Sequence, residues 1–308
     1  MARTGESIIV LGGINMDLVT FTPRFPLAGE TIVGTKFVTY PGGKGANQAV
    51  AASRSGGSVY MIGRVGNDDF GPQLISDLNL AGVNTSGVGV SDTNSGIAII
   101  TIDDSSQNQI IQVLGANDTC GETESTRIGE LIETSSTLLL QLEVSIDLSL
   151  DVAKLAHKRG KTVILDPSPV RPFPEDVYHY CSVITPNETD AEALVGFVVT
   201  DLESAELAAM TLINRGVPNV IIKLGEQGAL YANTDGRGHI PAFSVTAVDS
   251  VGAGDAFNGA LAVALSEDFS LRDATRFASA AGALAVTKVG AQDAMPNRSD
   301  IDILFGHL

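Results

Sequence analysis

The stretch AVDSVGAGDAFNGALAVAL, residues 247–265, begins as an extended, partly β-branched piece that ends at Asp249. It passes through the small-residue turn Gly252-Ala253-Gly254 and enters a long Ala/Leu/Val helix, with Asp255 at its start. Glycines at a loop-to-helix junction let the backbone approach a ligand closely, and the first N–H groups of a helix have no partners inside it. Those donors and the helix dipole together make such a junction an anion site. Asp255 has two readings here: an N-terminal helix cap, or a catalytic base beside an anion hole. This stretch by itself leaves both open.

A second junction of the same kind lies upstream. PGGKGANQAVAASRSGG, residues 41–57, places two glycines before an Ala-rich helix that ends at Gly56-Gly57. Lys44 and Asn47 are three apart and share a face of its first turn. A lysine there opposes the helix dipole unless something anionic or polar binds it, and a solvated lysine is the plain alternative. The spacing is not that of a P-loop, since Ala46 and Asn47 follow and no Ser or Thr comes after Lys44.

Around these junctions the chain alternates. SIIVL (7–11) is a buried first strand running into Gly12-Gly13-Ile14-Asn15-Met16-Asp17, and α/β sheets place ligands just past such strand ends. An ordinary turn accounts for Asn15 and Asp17 as well. Residues 18–40 are strand-like and interrupted by Pro23, Pro26 and Gly29. Residues 96–102 and 109–114 form a hairpin across DDSSQN. These pieces group as one small antiparallel sheet, a lid. From residue 115 the pattern is helix 122–133, strand 137–143, helix 147–158, strand 162–166, strand 182–185, helices 188–195 and 201–215, and strand 219–225. Helices 271–288 and 299–306 close the chain. Strand ends carry Glu143, Asp166 and Asn187. The fold class is therefore α/β: a central mostly parallel sheet with helices on both faces, plus a small β-lid from about 18–40 and 96–114, in a single domain over 1–308.

Composition limits function. Nineteen Lys and Arg against 36 Asp and Glu give a net charge of −17, which argues against nucleic acid or an anionic membrane surface as partner. Two cysteines, Cys120 and Cys181, make no disulfide framework, and the amino-terminal apolar run is too short for a signal peptide or membrane span. A soluble, cytoplasmic protein is expected. The four histidines have no metal-ligand spacing, and neither a G-x-S-x-G elbow nor a complete G-x-G-x-x-G is present.

Six stretches carry a resemblance. GGKGANQA (42–49), DSVGAGDAFNGA (249–260) and, in order around them, NMD (15–17), QLE (141–143), TPNETDAE (185–192) and KLGEQG (223–228) resemble the ribokinase-like (PfkB) carbohydrate kinases over essentially the full length. The resemblance implies phosphoryl transfer from ATP to a sugar hydroxyl with Mg²⁺ on the phosphates, and a homodimer through the β-lid. It makes Asp255 the base and Gly252, Ala253, Gly254 and Asp255 the anion hole. Asn15, Asp17, Gly43, Lys44, Asn47 and Glu143 would hold the sugar, for which D-ribose with O5 as acceptor is the first expectation. Asn187 would lie near phosphates and metal, Lys223, Gly225, Gly228 and Gly254 would carry the nucleotide, and Ser279 would approach the adenine. Asp249 with the carbonyls of Val251, Ala285, Lys288 and Gly290 matches a monovalent-cation site, for K⁺.

Three positions depart from the family pattern. N-x-x-E reads Asn187-Glu188-Thr189-Asp190, one methylene shorter, which puts magnesium and phosphate dependence in question. Ala294 stands where a serine hydroxyl is usual in the cation site, so potassium activation is expected to be weakened. Lys223 replaces a smaller polar residue and is expected near the phosphates. Within the class the alternatives are another pentose, a ketohexose or a nucleoside; eleven Phe, five Tyr and no Trp leave little to stack a base. From another class, the alternative is a sugar- and nucleotide-binding sensor without catalysis.

Overall fold

The computed structural model describes residues 6–105 and 107–306. The start of the amino-terminal run (1–5), Ser106 in the DDSSQN connection and His307 lie outside the described residues. In chain order the elements are β1 (Ser7–Leu11), β2 (Asn15–Thr22), β3 (Lys36–Gly42), α1 (Lys44–Arg54), β4 (Val59–Gly66), α2 (Phe70–Leu80), β5 (Asn84–Ser91), β6 (Gly96–Asp103) and β7 (Asn108–Val113). Then follow α3 (Glu122–Leu131), β8 (Ser135–Leu140), α4 (Ile146–Lys158), β9 (Thr162–Leu165), β10 (Val183–Ile184), α5 (Glu188–Val195) and α6 (Leu202–Asn214). The last are β11 (Asn219–Lys223), β12 (Ala229–Asn233), β13 (Gly236–Ile240), α7 (Ala253–Ser266), α8 (Leu271–Ala285) and α9 (Arg298–Gly306).

Nine strands form one sheet in the order β13-β12-β11-β10-β9-β8-β1-β4-β5. Its pairs are parallel from β11 to β5, with β12 and β13 added antiparallel at one edge. The central strands are apolar on both faces because both faces are covered. Side chains alternate at period two, so Ile8, Val10, Leu139, Ile164 and Ile221 join one core with α1, α7 and α8. Ile9, Leu11, Leu138, Leu140, Val163, Leu165, Val220 and Ile222 join the other, with α4 and α6. Each such fully buried Ile or Leu contributes about 1.5–3 kcal/mol.

From β1 the chain goes out to β4 and β5 on one side and returns to β8 on the other. The crevice between the carboxyl ends of β1 and β8 is therefore a topological switch point, where open α/β sheets bind ligands. The small sheet has the order β3-β2-β6-β7. Its β2–β6 pair is parallel, from Asn15 against Gly96 to Thr22 against Asp103, so the sheet is mixed and not the antiparallel excursion expected. It also begins earlier, at Asn15, because Asn15 and Asp17 are already strand residues paired with Gly42 and Tyr40. The strand expected at 137–143 stops at Leu140, which frees Gln141, Leu142 and Glu143 to turn into the crevice. The helix expected to reach residue 288 ends at Ala285.

Candidate active site

Two glycine-led helix starts meet at the switch point. Gly43 caps α1 at φ 89° and Gly252 caps α7 at φ 76°, both without a side-chain cap bond. The helices touch because Gly259 has no side chain: a Cβ there would lie 2.5 Å from Ala51 Cβ and 2.6 Å from Ala52 N. At the other end of α1, a Cβ on Gly45 would lie 2.6 Å from the Gly12 backbone, so α1 lies directly on the turn after β1.

This packing positions the Asp255 side chain. Asp255 is not the cap, since Gly252 holds that position. Its buried carboxylate turns away from its own helix and accepts from Asn47 Nδ2 at 3.0 Å and Gln48 Nε2 at 3.0 Å, both on α1. Burial pushes the Asp255 carboxyl above its ordinary range, with Lys44 pulling it back and Asp166 pushing it further up. A carboxylate held ionisable, with raised proton affinity, is suited to accept a proton.

The sugar candidates converge beside it. Glu143 Oε2 accepts from the Lys44 backbone N–H at 2.7 Å, so a carboxylate from the far side of the crevice caps α1. Its other oxygen accepts from Gln112 Nε2 at 2.8 Å, a contact from β7 of the small sheet. Burial raises the Glu143 carboxyl, opposed by Lys44. Burial with Glu143 and Asp255 nearby raises Asp17 from 3.8 to about 7. For Lys44, burial works against the charge, but Asp255, Asp166, Glu143 and Asp190 outweigh it and hold the ammonium charged. Asn15 is buried and its Oδ1 accepts from Asn117 Nδ2 at 2.7 Å, which leaves the Asn15 amide N–H groups for a ligand.

The nucleotide candidates lie along the carboxyl ends of β9 to β11. Lys223 Nζ sits 3.3 Å from Asp166 Oδ1 and 3.5 Å from where a side chain on Gly254 would begin, so its ammonium lies at the first turn of α7. Asn187 caps α5, its Oδ1 accepting from the Asp190 N–H at 2.7 Å. Gly225 and Gly228 bracket a tight turn after β11 with φ 50° and 92°. Ser279 is one turn before Gly282, where a Cβ would lie 3.3 Å from Ala253 O, so α8 packs closely on the start of α7. The Ser279 hydroxyl donates to Thr275 O inside the helix at 2.8 Å. Of the amides expected in the anion hole, that of Ala253 already donates to Ser250 O at 3.3 Å.

Behind α7, Asp249 ties two loops together, accepting from Val251 N at 3.0 Å and Gly290 N at 2.9 Å. The Ala285 carbonyl accepts from Lys288 N at 3.2 Å, and Ala294 is buried in the adjoining turn. Arg54 at the end of α1 donates to the carbonyls of Gln292 and Met295, each at 2.9 Å, and fixes that turn. Among the described residues no group of three or more His, Cys, Asp or Glu is arranged to hold a metal ion. An open groove of about 630 Å³ between β5 and α3, lined by Ser86, Gly89, Glu124 and Arg127, is separate from these residues.

Known proteins carry the same organisation. A family model described as pfkB family carbohydrate kinase matches residues 6–298. The chain belongs to the pfkB family of carbohydrate kinases. It is 38% identical over 301 residues to the ribokinase of Bacillus subtilis, covering 97% of this chain and 99% of the relative. It is 36% identical over 292 residues to the deoxyribokinase of Salmonella typhi, covering 94% and 95%. A solved structure of the Arabidopsis thaliana ribokinase complexed with ribose and ATP has a TM-score of 0.91 at 31% identity, covering 99% of this chain and 100% of that one. The ribokinase-like fold and the family read from the motifs both hold.

Reading the sequence missed Gln48, Gln112, Gln141 and Asn117 and noted Asp166 only as a polar strand end. Gln48 had one signal: a long amide within an otherwise Ala-rich helix that the structure buries completely. Among the described residues no helix is long and apolar enough to cross a membrane, and both cysteines are free and buried.

Proposed function

We propose that this chain is an ATP-dependent kinase that phosphorylates D-ribose at O5, giving ribokinase activity. The observation that carries this reading is the Asp255 carboxylate, buried in the first turn of α7 behind its glycine cap, bonded to Asn47 and Gln48 of α1 and within the electrostatic reach of Asp17, Lys44 and Glu143. Asp255 accepts the proton of the acceptor hydroxyl as its oxygen bonds to the γ-phosphorus and the electron pair of the broken P–O bond leaves with ADP. The Gly254 amide at the helix start and the Lys223 ammonium stabilise charge on the moving phosphoryl group. Several converging hydrogen-bonding groups suit a polyol, because an analogue lacking a hydroxyl leaves buried polar groups unpaired.

Asp190 Oδ2 is buried with no hydrogen-bond partner, and burial with Asp166 nearby raises its carboxyl. Such an oxygen suits a cation or its hydration water, so Asp190 and Asn187 would hold the Mg²⁺, which supplies charge neutralisation at the phosphates. Asp249 with the carbonyls of Val251, Ala285, Lys288 and Gly290 forms an oxygen-only set suited to K⁺, lacking a hydroxyl at Ala294. Its contribution is charge and rigidity behind the start of α7.

A coupled ADP-release assay over pentoses, 2-deoxy-D-ribose, ketohexoses and nucleosides tests the reading. D-ribose should give the highest kcat/KM. A preference for 2-deoxy-D-ribose is the second reading, favoured by the deoxyribokinase among the relatives. Tight sugar binding without turnover on any acceptor identifies a sensor. We also infer a cytoplasmic homodimer joined through the small sheet, which exposes Phe37, Ile99, Ile110 and Ile111. Sedimentation at a monomer mass would exclude the dimer.

A further inference from the structure

Gln48 has no exposed surface, so it cannot touch a sugar. Its Nε2 nevertheless donates to Asp255 Oδ1 at 3.0 Å and to Asp166 Oδ2 at 2.8 Å, while its Oε1 accepts from Gln141 Nε2 at 2.5 Å. The amide orientation follows from the charges, since an oxygen in place of Nε2 would face two carboxylates. Asp166 Oδ1 is in turn paired with Lys223. Lys223 returns to the first turn of α7, the helix that carries Asp255. The four side chains thus close a circuit around the place where the phosphoryl group would move.

We propose that Gln48 and Asp166 form a positioning relay that links Asp255 to the Lys223 ammonium, so that nucleotide phosphates drawing Lys223 from Asp166 make Asp255 a stronger base. This rests on the kinase reading above. While Lys223 is paired with Asp166 it screens that charge. Once a phosphate takes the ammonium, Asp166 stands uncompensated one amide away from Asp255, and a like charge favours protonation. The Gln48 amide acts in the other direction: its hydrogen bond favours the ionised form of Asp255. The other charged groups facing Asp255 are Lys44 on α1, Asp17 on β2 and Glu143 beyond β8, and Asp190 on α5 faces Lys44 and Asp166. None of these is bonded to Gln48. Neither Gln48 nor Asp166 needs to touch substrate for this effect.

The test is a titration of side-chain carboxyls by NMR in full-length protein labelled at the Asp Cγ carbon, with the Asp255 resonance assigned by its loss in Asp255→Asn. Gln48→Leu should move the Asp255 titration up by about one to two pH units, the amount expected for loss of one hydrogen bond to a charged group. Gln48→Glu, which keeps the size if the leucine variant folds poorly, should move it the same way. Asp166→Asn should move it down. A magnesium complex of a non-hydrolysable ATP analogue should raise it in the wild type and not in Lys223→Met. Gln48 and Asp166 variants that titrate within a few tenths of a unit of the wild type, or that both move in one direction, overturn the relay. The titration needs no turnover, so a chain inactive on every sugar refutes the kinase reading while the relay is still judged on its own.

Discussion

Asp17 is the residue whose stability and binding roles oppose each other most clearly. In the folded protein its carboxyl is raised from 3.8 to about 7, first by burial and then by the charges of Glu143 and Asp255. A raised acid means that the folded state holds a proton which the unfolded chain has released. The cost of ionising Asp17 is therefore absent below pH about 4, grows through the interval up to 7, and is complete above it. Three units correspond to about 4 kcal/mol, and because Asp17 is only partly buried, solvent screening reduces this to about 2 kcal/mol. Asp17→Asn should thus be more stable than the wild type at pH 8.5 by about that amount, with the gap closing toward pH 4. Urea midpoints across pH 4–8.5 measure it. A sugar hydroxyl donating to Asp17 would favour the ionised form, so sugar binding at pH 7 should release a proton. Calorimetry in buffers of different ionisation heat reads that release. A stability gap that does not change with pH, together with binding that releases no proton, would refute the reasoning.

Asp255→Asn should lower kcat by about 10²–10⁴ while sugar affinity stays within about tenfold; activity within a few-fold would make Asp255 a structural residue. Gly45→Ala places a Cβ 2.6 Å from the Gly12 backbone, which cannot rotate away, so the urea midpoint should fall by the equivalent of about 1–3 kcal/mol. An unchanged midpoint would show that α1 is free to shift off the β1 turn. With Ala294 in the turn of the proposed cation site, activity in potassium should exceed that in sodium only modestly, and Ala294→Ser should widen the difference. A large potassium requirement in the wild type would show that the missing hydroxyl is immaterial.

What could be read from the chain followed from local chemistry. Runs such as SIIVL and TVILD, short and β-branched, suit strands buried on both faces, and glycines before Ala-rich segments suit close-approach helix starts. The features that escaped depend on what lies across the fold. β5, NTSGVGVS, is polar and glycine-rich because it is a sheet edge, and it carries no apolar run to announce it. The parallel β2–β6 pairing joins strands about eighty residues apart, which alternation within either strand cannot specify. That Gly252 caps α7, releasing Asp255, is a backbone fact. Gln48 became a site residue only because Gly259 allows α1 and α7 to touch.

The charge around the crevice narrows the acceptor. Among the described residues, the cations facing Asp17, Glu143, Asp166, Asp190 and Asp255 are Lys44 and Lys223. On the sugar side the balance is sharper still, with Asp17, Glu143 and Asp255 around the single ammonium of Lys44. A phosphorylated sugar placed there would bring about two negative charges against the buried carboxylates of Glu143 and Asp255 and the partly buried one of Asp17, where the reduced dielectric makes repulsion strong. A neutral polyol instead donates hydroxyls to those carboxylates and lowers the cost of their burial. The nucleotide side has the start of α7, Lys223 and the unpartnered Asp190 oxygen that suits a cation, so the two halves of the crevice are matched to different charges. That division favours an unphosphorylated sugar as acceptor and agrees with the proposed direction of transfer, from the cationic half toward Asp255.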